Sequence, residues 1–535
     1  MKKTLLVLML AFALLFSSFA MAEERVFQKY DEPVQVTIMG VDEKDSACVF
    51  DSSVHAWAGV NENCWIDAYK DYLNVEVTRI VPEDATALNA SLNTMMASGD
   101  LPDVMIVPKE MFYVLAENGV LKDLRADFEA ADGEYWMQIR NSYGDDIWSA
   151  GEYEGELLGM PYAENFYNST SVMWIRKDWL AKVNMEVPTT IDELTAVAQA
   201  FVDNKLGGDN TIGIGLTGSG DWGTDYSSIM AAFGVQLQTW VEKDGKYVYS
   251  DTLDACKDGL LKLQEMYKQG LFKSDFAVSD ILNEEVANGS CGLYFAPGWH
   301  GVTNINASLL NDENAEWTAA PIPTLDGNPV AQTTNAAVNR FIVVNANYEH
   351  SDVIFRMKDL EVCVYCNVGV NDPMYNLRAV DNEDGSIAFT TWNLMVFRGW
   401  QRGDMDLYRS ALICEGYANN TPVDEMNVIA QSAYNNMLKW LNGGDRTQLR
   451  LYLTYCEGYP IVQKLVDAGL VVPGFNGPLT ENMALYQTTI NDALRGAMIK
   501  VIMGDDISVY EQGVADWYAN GGQAITEEVN AFYGK

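Results

Sequence analysis

Between Val34 and Gly119 the hydrophobic period switches back and forth between two residues and about 3.6, and few folds accept that alternation. Val34 to Gly40 alternates apolar with polar residues and ends on glycine, as a strand does. Ile66 to Leu73 reads as a helix and Val75 to Val81 as a second strand. Ala85 to Ala97 is a helix with Leu88, Leu92, Met95 and Met96 on one stripe. After a turn at residues 98–103, Val104 to Val107 is a third strand. Glu110 to Asn118 is a helix that Gly119 stops in the left-handed region. Strand, helix, strand, helix, strand predicts a mostly parallel sheet with helices on its faces.

The stretch 155–194 carries the next constraint. The apolar run Leu157 to Met160 stops at Pro161, which has no N–H to continue a ladder. Tyr162, Glu164, Asn165, Phe166 and Asn168 follow, hydrogen-bonding groups interleaved with rings. Ser171 to Ile175 reads as a buried strand, and residues 176–180 open a helix. Pro188 breaks the chain, and Thr190 with Glu193 three residues on forms a capping box for the next helix. A polar-aromatic loop between two strand ends is where an α/β protein lines a crevice. This stretch is expected to carry the chain from one lobe to another, with its loop facing a ligand.

Beyond it the pattern repeats. A helix over 191–202 precedes a strand at Thr211–Leu216. A Gly-rich loop follows, from Thr217 to Asp225, with Trp222 inside it. That loop lacks the Lys-Ser/Thr of a phosphate-binding loop. Residues 259–269 form a helix stopped by Gly270. Gly292 to Ala296 is a buried strand that runs into Pro297-Gly298-Trp299-His300-Gly301. A tryptophan at a strand's end between glycine and proline is expected to be displayed; packing in the core is the alternative. Residues 320–327 are a Pro-rich crossover, Arg340 to Val344 a strand and 350–364 a helix. From about residue 390 the chain reads as mostly helical, with Trp392, Trp400, Trp440 and Trp517 as core aromatics.

Charge and chemistry narrow the function. The formal net charge is −40, with no basic cluster to offset it, so a nucleic-acid partner is disfavoured. Lys2 and Lys3, an apolar run from Leu5 to Phe16 and Ala20-Met21-Ala22 read as a cleaved signal peptide over residues 1–22. The expected product is exported, periplasmic or extracellular. No cysteine precedes Cys48, so no lipid-anchor cysteine is expected at the cleavage point. The eight cysteines are sparse for 535 residues and permit disulfides without requiring them. Cys363-x-x-Cys366 stands alone, without a second such pair. With three histidines and no HExxH or GxSxG, no catalytic constellation is legible, and no cofactor or metal is expected. The abundant carboxylates leave a glycosidase pair open.

Six segments in order resemble the family 1 extracellular solute-binding proteins of ABC importers, the large oligosaccharide-binding branch similar to maltose-binding protein. They are MMASGDLPDVMIV (95–107), ENGVLKDL (117–124), the 155–194 stretch, YKQGLF (267–272), CGLYFAPGWHG (291–301) and the terminal run 501–535. The resemblance implies an α/β, two-lobe periplasmic-binding-protein fold with a hinge, mostly parallel sheets flanked by helices and a helix-rich C-terminal part. It implies an N-terminal lobe of residues 23–158 and 320–375, and a C-terminal lobe of 159–319 and 376–535 with a helical extension. By similarity the loop after Pro161 and the strand-end Trp299 line the cleft, with Trp299 as a sugar-stacking platform. Physics agrees, because an indole covers the apolar face of a sugar while its hydroxyls need polar partners. The expected ligand set is Trp299, Trp222, Tyr162, Glu164, Asn165, Trp57, Trp65 and Asp225, with loop packing as the alternative for Trp57, Trp65 and Trp222. The implied function is capture of an oligosaccharide, or another polar small solute, by a monomer that delivers it to ABC permease subunits. A secreted carbohydrate-active enzyme and a free-standing glycan-binding protein are the alternatives. Larger members carry an Asp/Asn-rich calcium loop after the helix that follows the PTT motif. Here residues 201–211 are too short and too poor in spaced carboxylates for one.

Overall fold

The computed structural model describes residues 25–535 apart from 42–58, 144, 163–166, 219–223, 280–281, 335–337, 370, 382–386, 390, 476, 478–479 and 481. Two sheets organise it. Their strands are β1 (Val34–Met39), β2 (Val75–Ile80), β3 (Val104–Pro108), β4 (Met160–Pro161), β5 (Ser171–Arg176), β6 (Leu293–Pro297), β7 (Trp317–Ala320) and β8 (Arg340–Val344).

The first sheet has the order β2-β1-β3-β8-β4. β1 runs parallel to β2 and β3, as the opening alternation predicts, and β8 runs antiparallel to both β3 and β4. The crossover helices start and stop on local chemistry. The Asn63 side chain accepts from the N–H groups of Trp65 and Ile66 and opens the helix Cys64–Leu73. Asp84 caps the helix Ala85–Ser98, and Gly99 ends it at φ 80°. Helix Val353–Asn367 closes the layer, with both faces largely buried.

The second sheet, β6-β5-β7, is antiparallel throughout. The expectation of mostly parallel sheets therefore holds for three strands of the first sheet and fails for the second. All six residues of β5 are buried. Met173 and Ile175 enter a core with Leu293, Phe295 and Trp179, whereas Val172 and Trp174 enter another with Tyr294, Ala296 and Trp317. A strand covered on both faces reads as one continuous apolar run, which is silent about direction. The expected strand at 211–216 is present only as isolated bridges, Ile212 to Cys291 and Gly215 to Tyr294. A Cβ on Gly213 would stand 2.8 Å from the Ala198 carbonyl oxygen, so the segment is pressed onto a helix rather than laddered to a strand. The capping box is formed as read, with Glu193 N–H on Thr190 Oγ1 at 3.3 Å and Thr190 N–H on Glu193 Oε2 at 3.1 Å.

The first core gathers residues 27–162 with Val338–Val368 and also takes in Leu394–Trp400 and Met405. It thus runs past the expected limits at 158 and 375. Helix Met405–Asn419 spans cores: Met405 belongs to the first, Leu407 to the core behind β5, and Ile413 to a small helical one. The last helices, Thr488–Ile502, Ser508–Trp517 and Gln523–Phe532, pack on the second core through Leu494, Met498, Trp517 and Val529. No described helix is long and apolar enough to cross a membrane.

Candidate functional site

Chain crossings between the two sheets place the polar groups of interest. β4 ends at Pro161, and Tyr162 follows at once. Its N–H donates to the Arg340 carbonyl at 2.9 Å, its hydroxyl accepts from Gly399 N–H at 2.7 Å, and the Arg340 guanidinium lies 4.8 Å from its ring centroid. Tyr162 is buried and ties together the ends of β4 and β8 and the 394–400 segment. Replacing Tyr162 with Phe strands a buried N–H, and we expect a loss of about 1–3 kcal/mol, read as a lower urea midpoint at unchanged m. Glu164 and Asn165 lie outside the described residues.

Tyr167 packs against the core behind β5. The Asn168 carbonyl accepts the Trp299 indole N–H at 3.1 Å, and its side-chain oxygen accepts the Tyr459 hydroxyl at 3.2 Å. Tyr459 also reaches Asp406 Oδ2 at 2.8 Å. Trp299 rides the short turn Gly298–Val302 directly after β6, half-buried, with its ring centroid 4.4 Å from that of His300. The turn is pressed against a π-helical turn, Leu453–Gly458: a Cβ on Gly458 would stand 3.0 Å from Gly298 Cα, and one on Gly301 would stand 2.3 Å from Thr454 Oγ1. No side chain fits at either place without displacing backbone.

His300 is buried beside Trp299. Its Nδ1 lies 3.3 Å from the Tyr294 hydroxyl, and its Nε2 has no hydrogen-bond partner among the described residues. Burial pushes its pKa down from 6.5 to about 3. The unfolded chain therefore takes up a proton below pH 6.5 that the folded chain refuses until about pH 3. Stability contributed here is whole above pH 6.5 and is lost as pH falls, at up to about 1.4 kcal/mol per pH unit. His300→Gln is expected to flatten that limb in urea titrations between pH 7 and pH 4.

Two expected ligand residues are structural. Trp65 lies in the first turn of a helix, fully buried, and its indole N–H donates to the Thr391 carbonyl at 2.9 Å. The displayed reading of Trp65 gives way to packing, because the helix starts two residues earlier than the sequence pattern suggests. Asp225 is 2% exposed; its Oδ1 accepts Ser227 N–H at 3.0 Å and the Ser227 hydroxyl, and its Oδ2 faces Arg495 at 3.3 Å. Both oxygens serve the fold, pinning the base of the Gly-rich loop, where Thr217 and Thr224 hydroxyls meet at 3.0 Å. Trp57 and Trp222 lie outside the described residues. In the 201–211 segment, Lys205 pairs with Asp209 at 2.8 Å, so an ammonium already holds one of its carboxylates.

Other groups at the junction escaped the sequence reading. Lys109, at the end of β3, places its ammonium 5.7 Å from the centroid of Phe475, which packs on the second core. Burial pulls the Lys109 pKa down to about 8. Arg402 pairs with Asp404 at 2.9 Å, and Arg409 with Asp406 at 3.2 Å. The signal for this second set was Arg402-Gly-Asp-Met-Asp-Leu-Tyr-Arg409, charges clustered at a helix start, which a reading of period alone passes over. No group of metal-binding side chains occurs among the described residues.

A family model described as bacterial extracellular solute-binding protein matches residues 62–357. Lipoprotein LipO of Bacillus subtilis is 25% identical over 312 residues, covering 55% of this chain and 60% of LipO. The fructooligosaccharide ABC transporter substrate-binding protein FusA of Streptococcus pneumoniae serotype 4 is 29% identical over 171 residues, 29% of this chain and 31% of FusA. The chain thus matches 60% or less of the length of these curated relatives. Among solved structures, an HMO-binding, ABC-transporter-associated solute-binding protein from Bifidobacterium longum infantis superposes with a TM-score of 0.54 at 16% identity, over 95% of this chain and 100% of that one. That likeness is one of fold, the two-lobe α/β architecture of periplasmic binding proteins.

Proposed function

This chain belongs to the bacterial extracellular solute-binding protein family, and we propose that it is a non-enzymatic receptor that captures an oligosaccharide between its two lobes and hands it to the permease of an ABC importer. The observation that carries the reading is the family match itself, which runs from the first crossover helix through β8 and so takes in β2 to β8, with every strand of the second sheet. The names of FusA and of the Bifidobacterium protein, one for a fructooligosaccharide and one for HMO, support a carbohydrate as the solute.

The proposed mechanism is hinge closure. The chain passes from the first sheet to the second between β4 and β5 and returns between β7 and β8, and a ligand that touches both lobes favours the closed arrangement by its differential contacts alone. Trp299 supplies the apolar platform, with its N–H already anchored on Asn168, so the indole is held in place before the sugar arrives. Trp57, Trp222, Glu164 and Asn165 remain proposed contributors, and Lys109 at the end of β3 is a further one from the first sheet. One chain suffices, since both lobes that clasp the sugar come from it. The exported location fits a cleaved leader over residues 1–22.

Equilibrium dialysis of the mature chain against a panel of neutral and uronic oligosaccharides tests this. The expected result is one sugar per chain, returned unchanged by chromatography after the protein is denatured. Accumulation of new reducing ends would instead establish a hydrolase.

A further inference from the structure

Behind the Trp299 turn lies a cluster of sulfur atoms that ligand capture does not use. Cys414, on helix Met405–Asn419, and Cys456, on the π-helical turn Leu453–Gly458, hold their Sγ atoms 3.6 Å apart. Both are partly exposed. Cys414 Sγ also donates to the Tyr455 carbonyl at 3.3 Å, and Met437 Sδ stands 3.5 Å from Cys456 Sγ. The other described cysteines differ. Burial pushes Cys64, Cys256, Cys291 and Cys363 up to about 12 and Cys366 up to about 11, so they stay thiols. Cys363 and Cys366 are buried inside one helix. Cys414 goes the other way, down to about 7, because Cys456 is hydrogen-bonded to it. It is the described cysteine whose proton is held least tightly, and so the one suited to attack first.

We propose that Cys414 and Cys456 are a disulfide site, closed outside the reducing cytosol, that staples the helix Met405–Asn419 to the turn supporting Trp299. The family's extracellular setting permits such a bond. The oxidant is a disulfide, glutathione disulfide or a protein one. The Cys414 thiolate attacks one of its sulfurs and expels the other as a thiolate, leaving a mixed disulfide. Cys456 then loses its proton and attacks the Cys414 sulfur, expelling the second thiolate. Two electrons and two protons pass to the oxidant, and one S–S bond closes in the protein. Bond formation needs the sulfurs, now 3.6 Å apart, to approach to about 2 Å.

The position gives the bond a consequence. Helix Met405–Asn419 begins in the first core and carries Asp406, which receives the Tyr459 hydroxyl. The π-helical turn carries Glu457, which accepts Ala319 N–H of β7 at 3.1 Å, and it abuts Gly298 and Gly301. The staple therefore fixes the floor beneath the aromatic platform to the helix that leaves the junction.

The test uses the full mature chain oxidised with glutathione disulfide, alkylated without reduction, digested and read by mass spectrometry. The expected result is one cross-linked pair containing Cys414 and Cys456, with Cys363 and Cys366 alkylated once the chain is denatured. The bond closes a separation of 42 residues, so reduction should lower the melting temperature by about 4 °C. Cys414→Ser should abolish both the cross-link and that shift, and Cys456→Ser should do the same should the first variant fold poorly. Full alkylation of both residues after oxidation, or a cross-link of either to a different cysteine, would overturn the proposal. Neither readout involves a sugar, so it stands or falls apart from ligand capture.

Discussion

Replacing Glu361 with Leu is expected to cost about 3–5 kcal/mol of stability. Glu361 is 0% exposed and sits 3.2 Å from the Lys358 ammonium, itself 2% exposed, one helical turn away. Each has a second task. Glu361 Oε1 accepts the Tyr69 hydroxyl at 2.7 Å and Phe397 N–H at 3.1 Å, and Lys358 donates to the Phe397 carbonyl at 2.8 Å. The pair thus fastens the 394–400 segment, with no strand pairing of its own, to the helix Val353–Asn367. Removing the carboxylate leaves a buried ammonium, whose pKa burial already lowers, with one carbonyl for company. The double variant Lys358→Met, Glu361→Leu removes both charges and should recover most of the loss. Urea unfolding of the four species of the cycle checks this. Additive losses would show that the two groups do not act as a pair. Because Gly399 of the same segment donates to Tyr162, the single variant should also loosen the junction.

Trp299→Ala is expected to weaken glycan binding by about 2 kcal/mol or more, roughly thirtyfold in Kd, with little change in stability. The ring is half-buried on a turn held by backbone contacts, and its N–H bond to Asn168 is one of several that secure that corner. Trp65 provides the contrast. Its ring is wholly buried and its N–H is satisfied within the first core, so Trp65→Ala should cost about 3–5 kcal/mol of stability and leave the affinity of the folded fraction unchanged. Calorimetric titration beside urea unfolding separates the two. A Trp299 variant with undiminished affinity would move the platform to another ring.

The first lobe was legible because its signals are local. Period, caps and the glycine stops at Gly99 and Gly119 act within a turn or two of chain, and in the second lobe Thr190 and Glu193, three residues apart, form their box in the same local way. Strand direction in the second sheet was not legible, since β5 is buried on both faces and its apolar run fits either direction. Trp65 and Asp225 looked like loop residues for want of long-range information: Thr391 takes the Trp65 N–H, and Arg495 joins the local Ser227 at Asp225, each distant partner hundreds of residues away. Lys358 and Glu361 were legible only as part of a helix over 350–364, because what satisfies them, Tyr69 and Phe397, lies elsewhere in the chain. The charged groups Arg402 to Arg409 and Tyr459 were hidden in a stretch read only for helicity, although Tyr459 joins Asp406 to Asn168 beside Trp299.

Thermal unfolding of the mature chain against a panel of mono- and oligosaccharides tests receptor function most directly. A ligand that binds only the folded state adds roughly 2.7 kcal/mol at about 100 times its dissociation constant, a readable shift. The expected result is that one class of glycan raises the melting temperature, is recovered unchanged, and loses its effect in Trp299→Ala. A panel on which no glycan moves the melt, or on which the glycan that does is cleaved, would contradict capture of an oligosaccharide by a non-enzymatic cleft.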